Sequence, residues 1–447
     1  MWADIRYAVR SLTSRPLVTT VAVLSLALGI GVNTAIFSVF ERLFLRRLPV
    51  AAPEEIVNVT SPGPKPGSRS TSDSGGTDAV FSYPLFRDLE QFEIGALRLA
   101  AHRNFGANLA FKGQTSEGEG LLVSGRYFST LGITPALGRL LGPEDDRVPG
   151  AHPVVVLSHS YWSTRFGADP AVLDDTIVVN GEPMTIVGVA PPGFSGTTIF
   201  DQPQVFVPLT MAQEAFRDPQ WQGLTARNNH WIYVFARLQG GATREQAEGL
   251  INVPFTALIR DVEYPALRRG IGTDREREQF QRRQIVLQDG ARGRASNRGE
   301  AQTILLFMFA ITAFVLAIAC ANVANLLLAR VADRATEISV RVSIGASNGR
   351  LIRLLLVEAS VLGALGGIGA LIVALMTTNG LLAMLPADDV RVFEFHINTT
   401  VLLFAFALGL GTSLLFGLFP AVHGVRTAIA AGLTAQSNRT SGSRTAN

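Results

Sequence analysis

Four long stretches of the chain contain only apolar, small and uncharged polar residues. Each has about 25 residues or more, and a helix needs about 20 mostly apolar residues to cross the hydrocarbon core of a membrane. Buried helices of soluble proteins rarely stay free of charge over such a length. The charge-free runs, which predict four transmembrane helices, are Pro16–Phe40, Ala301–Ala329, Ala359–Ala387 and Ile397–Val425.

The predicted helices themselves cover residues 16–40, 301–329, 353–380 and 397–424. The first run is too long for the apolar region of a signal peptide, which has about 7–15 residues. Charged residues follow this run, where a signal peptide would have small residues for cleavage. We therefore expect the first helix to remain in the mature protein.

The charged residues between the runs predict the orientation of the helices. The loop 330–353 carries five arginines and two acidic residues, and the tails 1–15 and 426–447 are also basic, whereas the loop between the last two helices is acidic. Because positively charged loops stay in the cytoplasm, both termini are predicted inside and residues 48–297 outside. Three arginines directly after the first helix disagree, but they precede a long translocated segment, which weighs less in this rule. The tail 426–447 is polar and predicted to be disordered.

The long segment between the first two predicted helices has the patterns of strands and turns. Strands are predicted at 152–158 and 231–238, and two more within 176–189 are joined at Asn180-Gly181, the turn of a β-hairpin. Thr243 is predicted to cap a helix, and the Pro-, Gly- and Ser-rich stretch Ser61–Gly76 to be a flexible loop or linker. The fold class is therefore a membrane α-helical protein, with a large α+β extracytoplasmic domain of two subdomains inserted between helices 1 and 2.

No residues in the chain have the spacing of a catalytic or metal site. His152 and His159 flank a predicted strand without the further ligands that a metal needs. Ser195 lies in a turn that fails the G-x-S-x-G pattern of a nucleophile. A P-loop needs Lys followed by Ser or Thr, but the two lysines, Lys65 and Lys112, precede Pro and Gly. We predict that the chain is not an enzyme, holds no cofactor or metal, and relies on a separate subunit if ATP drives it.

Composition and the residues inside the spans disfavour further classes of function. The net charge is +3 and the arginines are scattered, whereas nucleic-acid binding needs a clustered positive face. No charged residue lies in the middle of a span, which disfavours an ion-coupled carrier. The only cysteine is Cys320, so no intramolecular disulfide is possible. In the third span, Gly363 and Gly367 have the spacing of closely packed helices, although a span that is glycine-rich by chance is an equal alternative.

The loop between the second and third helices has the pattern of a short amphipathic helix. Val331, Ala335, Ile338 and Val342 recur on one helical face, and charged residues occupy the other. Gly345 is predicted to end this helix. The helix is either a connector on the membrane surface or a docking element for a cytoplasmic partner.

Several segments resemble one family of membrane proteins, and together they cover nearly the whole chain. Arg334–Ser347, with Arg350–Arg353 and Glu358, resembles the FtsX-like permease domain, which would cover residues 301–425. Asp4–Leu12 resembles the opening of a duplicated orphan permease group. The segments that resemble the MacB-like periplasmic core domain are Ser124–Phe128, Leu131-Gly132, Pro135–Arg139 and Val178–Gly181.

The resemblance implies a permease subunit of a type VII ABC system, in which the helices act as levers between an ATPase and the outer domain. It implies an outer domain with Porter-like ends and a Sabre-like insert near residues 111–230. It also implies a separate ABC ATPase, a dimer with itself or a related permease, and a place in the bilayer of the bacterial inner membrane. The residues implied to form the ATPase-coupling segment are Arg334, Glu337, Arg341, Gly345 and Ala346.

Two hypotheses about function follow from these features. The first is a permease subunit of an ATP-driven mechanotransmission or efflux complex. The second is a non-transporting membrane scaffold or sensor whose outer domain binds a partner. An ATPase gene beside this one favours the first hypothesis, and its absence favours the second.

Overall fold

The computed structural model describes residues 2–14, 16–72, 74–92, 94–199, 201–218, 220–294, 298–333, 348–384, 399–415 and 418. The chain divides into two compact units. The first, here called the helical unit, comprises Met1–Arg42 and Gly299–Asn447. The second, here called the sheet unit, comprises Leu43–Arg298.

The elements of the described residues are numbered in chain order. The α-helices are α1 (Trp2–Thr13), α2 (Pro16–Phe40), α3 (Tyr83–Glu90), α4 (Tyr127–Leu131), α5 (His159–Arg165), α6 (Ala212–Phe216), α7 (Arg244–Leu258), α8 (Tyr264–Leu267), α9 (Asp274–Gln281), α10 (Arg298–Asp333), α11 (Asn348–Met384) and α12 (Thr399–Leu415). The strands are β1 (Ile56–Thr60), β2 (Ser68–Arg69), β3 (Val80–Ser82), β4 (Leu97–Phe111), β5 (Gln114–Val123), β6 (Leu137–Gly138), β7 (Val154–Leu157), β8 (Thr176–Val179), β9 (Glu182–Val189), β10 (Val205–Pro208), β11 (Asn229–Leu238) and β12 (Val286–Asp289).

Three helices of the helical unit are long and apolar enough to cross a membrane, among the residues described. Their candidate spans are Pro16–Phe40 in α2, Gln302–Leu326 in α10 and Ile352–Thr377 in α11. α12 is apolar but shorter, and most of the predicted span beyond it lies outside the described residues. The fourth transmembrane helix therefore stays a prediction.

The sheet unit is built on one mixed sheet of 12 strands, with the main path β12-β1-β11-β4-β5-β10-β7-β9-β6. β4 and β5 form a long antiparallel hairpin near its middle. β11 pairs antiparallel with β1 on one side and β4 on the other. One hydrogen-bonded path of strands connects β12 to β6. The predicted division of this unit into Porter-like and Sabre-like parts stays a prediction.

Local sequence signals predicted several elements of this unit correctly. β7 lies within the predicted strand 152–158, and β11 includes the predicted strand 231–238. Val179 and Glu182 pair across the predicted turn, where Asn180 and Gly181 have φ angles of 51° and 91°. Positive φ angles at both central residues are what a type I′ hairpin requires. Thr243 caps α7, because its side chain accepts a main-chain hydrogen bond from three residues further on.

Apolar side chains on both faces of the sheet form the core of the unit. Ile232 and Val234 of β11 belong to a large buried cluster that also contains residues of α3 and α7. Phe235 belongs to a second cluster, with Tyr127 and Phe128 of α4. β11 is therefore covered on both faces, which explains its nearly continuous apolar sequence.

The interpretation of Ser61–Gly76 as a flexible linker is wrong. Apart from the two residues of β2, the stretch is irregular, as its composition predicts, but buried side chains hold it in place. Lys65 is 4% exposed, and its Nζ donates hydrogen bonds to the carbonyl oxygens of Thr77, Asp78 and Val80. We call Ser61–Val80 the pinned loop.

Candidate functional site

The five residues of the predicted coupling segment, Arg334, Glu337, Arg341, Gly345 and Ala346, lie outside the described residues. Two described helices flank this segment in the chain, since α10 ends at Asp333 and α11 begins at Asn348. The first turns of α11 are therefore the part of the structure that follows the coupling segment most directly. The candidate site is the junction of α1 with these turns.

α1 packs on α11 through one face of an amphipathic helix. Ala8, Ser11 and Leu12 are buried, at 0%, 8% and 3% exposure. Together with Asp4 they follow the i, i+4, i+7, i+8 spacing that places side chains on one side of a helix.

Two polar contacts set the position of α1 along α11. The Ser11 hydroxyl donates a hydrogen bond of 2.8 Å to Oε1 of Glu358, and both side chains are buried. Asp4 Oδ2 lies 3.1 Å from Nη2 of Arg353, and this pair is partly exposed. An exposed ion pair contributes at most about 1 kcal/mol, whereas leaving one partner of a buried hydrogen bond unpaired costs about 1–3 kcal/mol. The Ser11–Glu358 contact is therefore the stronger of the two.

α1 is also tied to the start of α2. The hydroxyl of Thr19, in the first turn of α2, donates a hydrogen bond of 2.8 Å to the carbonyl oxygen of Leu12. α1 therefore bridges the beginning of α2 and the beginning of α11.

α2 and α11 pack closely along their length because glycines face the partner helix. A methyl group added at Gly31 would lie 2.8 Å from Cβ of Val373, and one added at Gly366 would lie 2.8 Å from Cβ of Leu26. Both distances are shorter than side chains tolerate, so the packing depends on the absence of a Cβ. A displacement of α11 along its axis would therefore act on α2 directly.

A pair of hydrogen bonds links α2 to α10. Asn33 is 5% exposed, and its Nδ2 donates to the carbonyl oxygen of Thr312 at 3.1 Å. The Thr312 hydroxyl donates in return to Oδ1 of Asn33 at 3.0 Å. Such polar contacts between membrane helices contribute about 0.6–2 kcal/mol each, and this one ties the second span to the first.

The two glycines predicted to pack helices lie in different surroundings. A methyl group at Gly363 would lie 1.7 Å from the Ser413 hydroxyl and 2.7 Å from the carbonyl oxygen of Gly409, both on α12. A methyl group at Gly367 would have no neighbour within 4 Å among the described residues. The structure thus places Gly363 against α12 and leaves room beside Gly367.

Residues 1–15 were predicted only as an N-terminal tail. Their sequence nevertheless contains a helical pattern that indicates α1. Asp4, Ala8, Ser11 and Leu12 already have helical spacing. The partner could not be predicted, because Ser11 and Glu358 are separated by 347 positions.

We expect the Ser11–Glu358 hydrogen bond to stabilise the helical unit by about 1.5 kcal/mol. The measurement is a double-mutant cycle of Ser11→Ala and Glu358→Ala, scored by thermal stability of the detergent-solubilised protein. Each single variant removes other contacts too, but their coupling energy isolates the pair. Asp4→Asn, which breaks the partly exposed ion pair, should cost less than about 1 kcal/mol. Purely additive effects of Ser11→Ala and Glu358→Ala would contradict the direct contact.

The described part of the sheet unit shows no arrangement of ligands for a metal. No group of three or more His, Cys, Asp or Glu residues is close enough there to hold an ion. His102 is fully buried, and burial, with the charges of Arg294 and Arg103, lowers its pKa to about 3. His102 is therefore neutral at physiological pH and belongs to the core. The absence of a cofactor stays a prediction.

Comparison with known protein families identifies the chain. A family model for the MacB-like periplasmic core domain matches residues 19–252, just over half of the sequence, and one for the FtsX-like permease C-terminal matches residues 309–429. The chain belongs to the MacB/FtsX-like family of ABC permeases. The resemblance inferred from the sequence motifs is thereby confirmed for this permease.

Individual relatives match this permease only in part. It is 32% identical over 120 residues to the macrolide export ATP-binding/permease protein MacB of Bradyrhizobium diazoefficiens, which covers 27% of this chain and 18% of that protein. It is 24% identical over 304 residues to the protein of the same name from Shigella boydii, which covers 68% and 41%. The permease therefore spans less than half the length of these relatives. The crystal structure of the periplasmic region of MacB from Actinobacillus actinomycetemcomitans gives a TM-score of 0.35 at 13% identity, covering 57% of this chain and 94% of that one.

Proposed function

We propose that this permease is the membrane subunit of an ATP-driven mechanotransmission or efflux complex in a bacterial inner membrane. A separate ABC ATPase binds the coupling segment on the cytoplasmic side, where both termini lie. ATPase closure moves the helices as levers and displaces the sheet unit in the periplasm. Two copies of the chain, or this chain and a related permease, provide the two halves of the complex.

The continuity of α11 is the observation that carries this proposal. α11 begins directly after the coupling segment and continues without interruption from Asn348 to Met384. At 1.5 Å per residue, such a helix is about 55 Å long. Its first turns hold α1, and its later turns pack tightly on α2. A force applied at the coupling segment would therefore enter a helix that is fixed to its neighbours and would move them together.

We expect a P-loop ATPase to copurify with the tagged full-length permease from its native cell, and to be lost when the coupling segment is changed. Glu337→Ala/Arg341→Ala removes an acidic and a basic side chain from one face of the helix predicted from the sequence. We expect at least a tenfold loss of bound ATPase, which corresponds to about 1.4 kcal/mol. The measurement is quantitative mass spectrometry of the copurified proteins.

The control is Glu278→Ala/Arg282→Ala, which removes an exposed ion pair of the same i, i+4 spacing from the sheet unit. This variant should keep the ATPase. If no ATPase accompanies the wild-type permease under several gentle conditions, the proposal fails and a non-transporting scaffold or sensor takes its place. Equal ATPase recovery with both double variants would mean that the coupling segment is not the contact.

A further inference from the structure

The outward face of α1 carries side chains that neither the contact with α11 nor the proposed function uses. Trp2 and Val9 are 82% and 46% exposed. At 100° per residue they lie on the side of the helix opposite the buried Ser11. Arg6 and Arg10, both exposed, run along the adjacent edge at i, i+4 spacing. The exposed side of α1 is thus divided into an apolar edge and a basic edge.

Two connections place α1 at the depth where helices enter the lipid. α1 ends at Thr13, and the candidate span of α2 begins at Pro16. Asp4 binds Arg353, which is the second residue of the candidate span in α11. Since both connections hold α1 at the start of a candidate span, its outward face would lie at the level of the lipid headgroups.

The chemistry of the outward face suits that level of the membrane. Tryptophan is enriched at membrane interfaces because its ring is apolar and its N–H is polar. Arginine side chains can lie along the apolar boundary while their guanidinium groups reach the phosphates. Among the residues that the structure describes, Arg6 and Arg10 form no ion pair within the protein. Their charges are therefore available to an anionic partner.

We propose that α1 is an interfacial helix whose outward face binds anionic phospholipids. Arg6 and Arg10 contact the headgroup phosphates, while Trp2 and Val9 insert among the lipids beside them. The contact with α11 occupies the other face, so lipid binding and helix docking take place together. The composition of the lipid then affects how firmly α1 is held over the first turns of α11. This proposal does not require an ATPase partner.

The test uses the full-length permease with a fluorophore sensitive to polarity at Val9→Cys, in a Cys320→Ala background so that one site is labelled. The protein is reconstituted into vesicles of phosphatidylcholine alone or mixed with phosphatidylglycerol. Lipids that carry a quencher near the headgroup are added to both. We expect the emission to shift to shorter wavelength and to be quenched by these lipids, more strongly when phosphatidylglycerol is present.

Two pairs of arginine variants decide whether charge is responsible. Arg6→Gln/Arg10→Gln should abolish the additional effect of phosphatidylglycerol. Arg269→Gln/Arg275→Gln, which removes two exposed arginines from the sheet unit, should retain it. Emission typical of water in both kinds of vesicle would overturn the proposal. So would an equal shift in both lipids, or a shift without lipid quenching, which would mean that protein covers this face.

Discussion

Replacing Lys65 by methionine is expected to lower the free energy of unfolding of the sheet unit by about 3 kcal/mol. Methionine has a similar length but cannot donate a hydrogen bond. The carbonyl oxygens of Thr77, Asp78 and Val80 would then lose their donor in a buried place. Each unpartnered buried polar group costs about 1–3 kcal/mol, and partial relaxation of the loop reduces the sum. The first residues of the pinned loop would then no longer be tied to its last residues, Thr77–Val80, while the rest of the sheet remains.

The three carbonyl contacts also determine the protonation state of Lys65. Burial, reinforced by the positive charge of Arg283, lowers the pKa of Lys65 from its ordinary value, while the negative charge of Asp78 acts in the opposite direction. The distances from Nζ to the three oxygens are 2.7, 3.0 and 2.8 Å. Three such contacts require all three N–H groups of an ammonium. We therefore assign the protonated form, because the carbonyl dipoles offset the cost of burying the charge.

Lys112→Met provides the matched control, since Lys65 and Lys112 are the two lysines of the chain. The side chain of Lys112 is 74% exposed, and its replacement should change stability by less than about 0.5 kcal/mol. Urea unfolding of the solubilised protein, followed by tryptophan fluorescence, measures both variants. Trp162, Trp221 and Trp231 lie in the sheet unit, so this signal reports mainly on it. Equal midpoints for the two variants would show that the loop does not depend on Lys65.

The pinned loop shows why composition predicted a mostly irregular segment correctly but did not predict the contacts that hold it in place. Pro, Gly and Ser indicate that a stretch forms neither helix nor strand, which is a local property. Whether it is held in place depends on residues elsewhere in the chain. Arg103 donates to the carbonyl oxygen of Ser70, and the Tyr233 hydroxyl donates to that of Gly75. These partners are 33 and 158 positions away, and no local pattern connects them.

Local sequence patterns also could not predict the contacts that form the candidate site. Apolar runs and the Asn180-Gly181 turn depend on neighbours in sequence, so the spans of α2, α10 and α11 and the β8–β9 hairpin could be predicted. The α1–α11 junction depends on Ser11 meeting Glu358, and the closeness of α2 to α11 depends on which glycines face the partner. In the third span, spacing alone singled out Gly363 and Gly367 as equivalent. Their neighbours differ, and this difference can be measured.

Gly363→Ala is expected to destabilise the helical unit by about 3 kcal/mol, whereas Gly367→Ala should leave it unchanged or slightly more stable. Both substitutions add one methyl group to the same helix and improve its helix propensity equally. At Gly363 the methyl group would meet the Ser413 hydroxyl and the main chain of Gly409, so α11 and α12 must move apart. At Gly367 it would meet nothing within 4 Å in the described structure. The difference between the two variants therefore isolates the contact with α12.

Thermal unfolding of the two solubilised variants, followed by gel filtration, measures this difference. Adding Ser413→Gly to Gly363→Ala should recover part of the loss, because the nearest clash, 1.7 Å from Ser413 Oγ, disappears. Recovery should be incomplete, since the carbonyl oxygen of Gly409 remains 2.7 Å from the new methyl group and belongs to the main chain. Equal stability of Gly363→Ala and Gly367→Ala would mean that α12 does not pack on this face of α11. In the structure, the close approach of α11 and α12 requires the missing side chain of Gly363, whereas a side chain at Gly367 would have no neighbour to displace among the described residues.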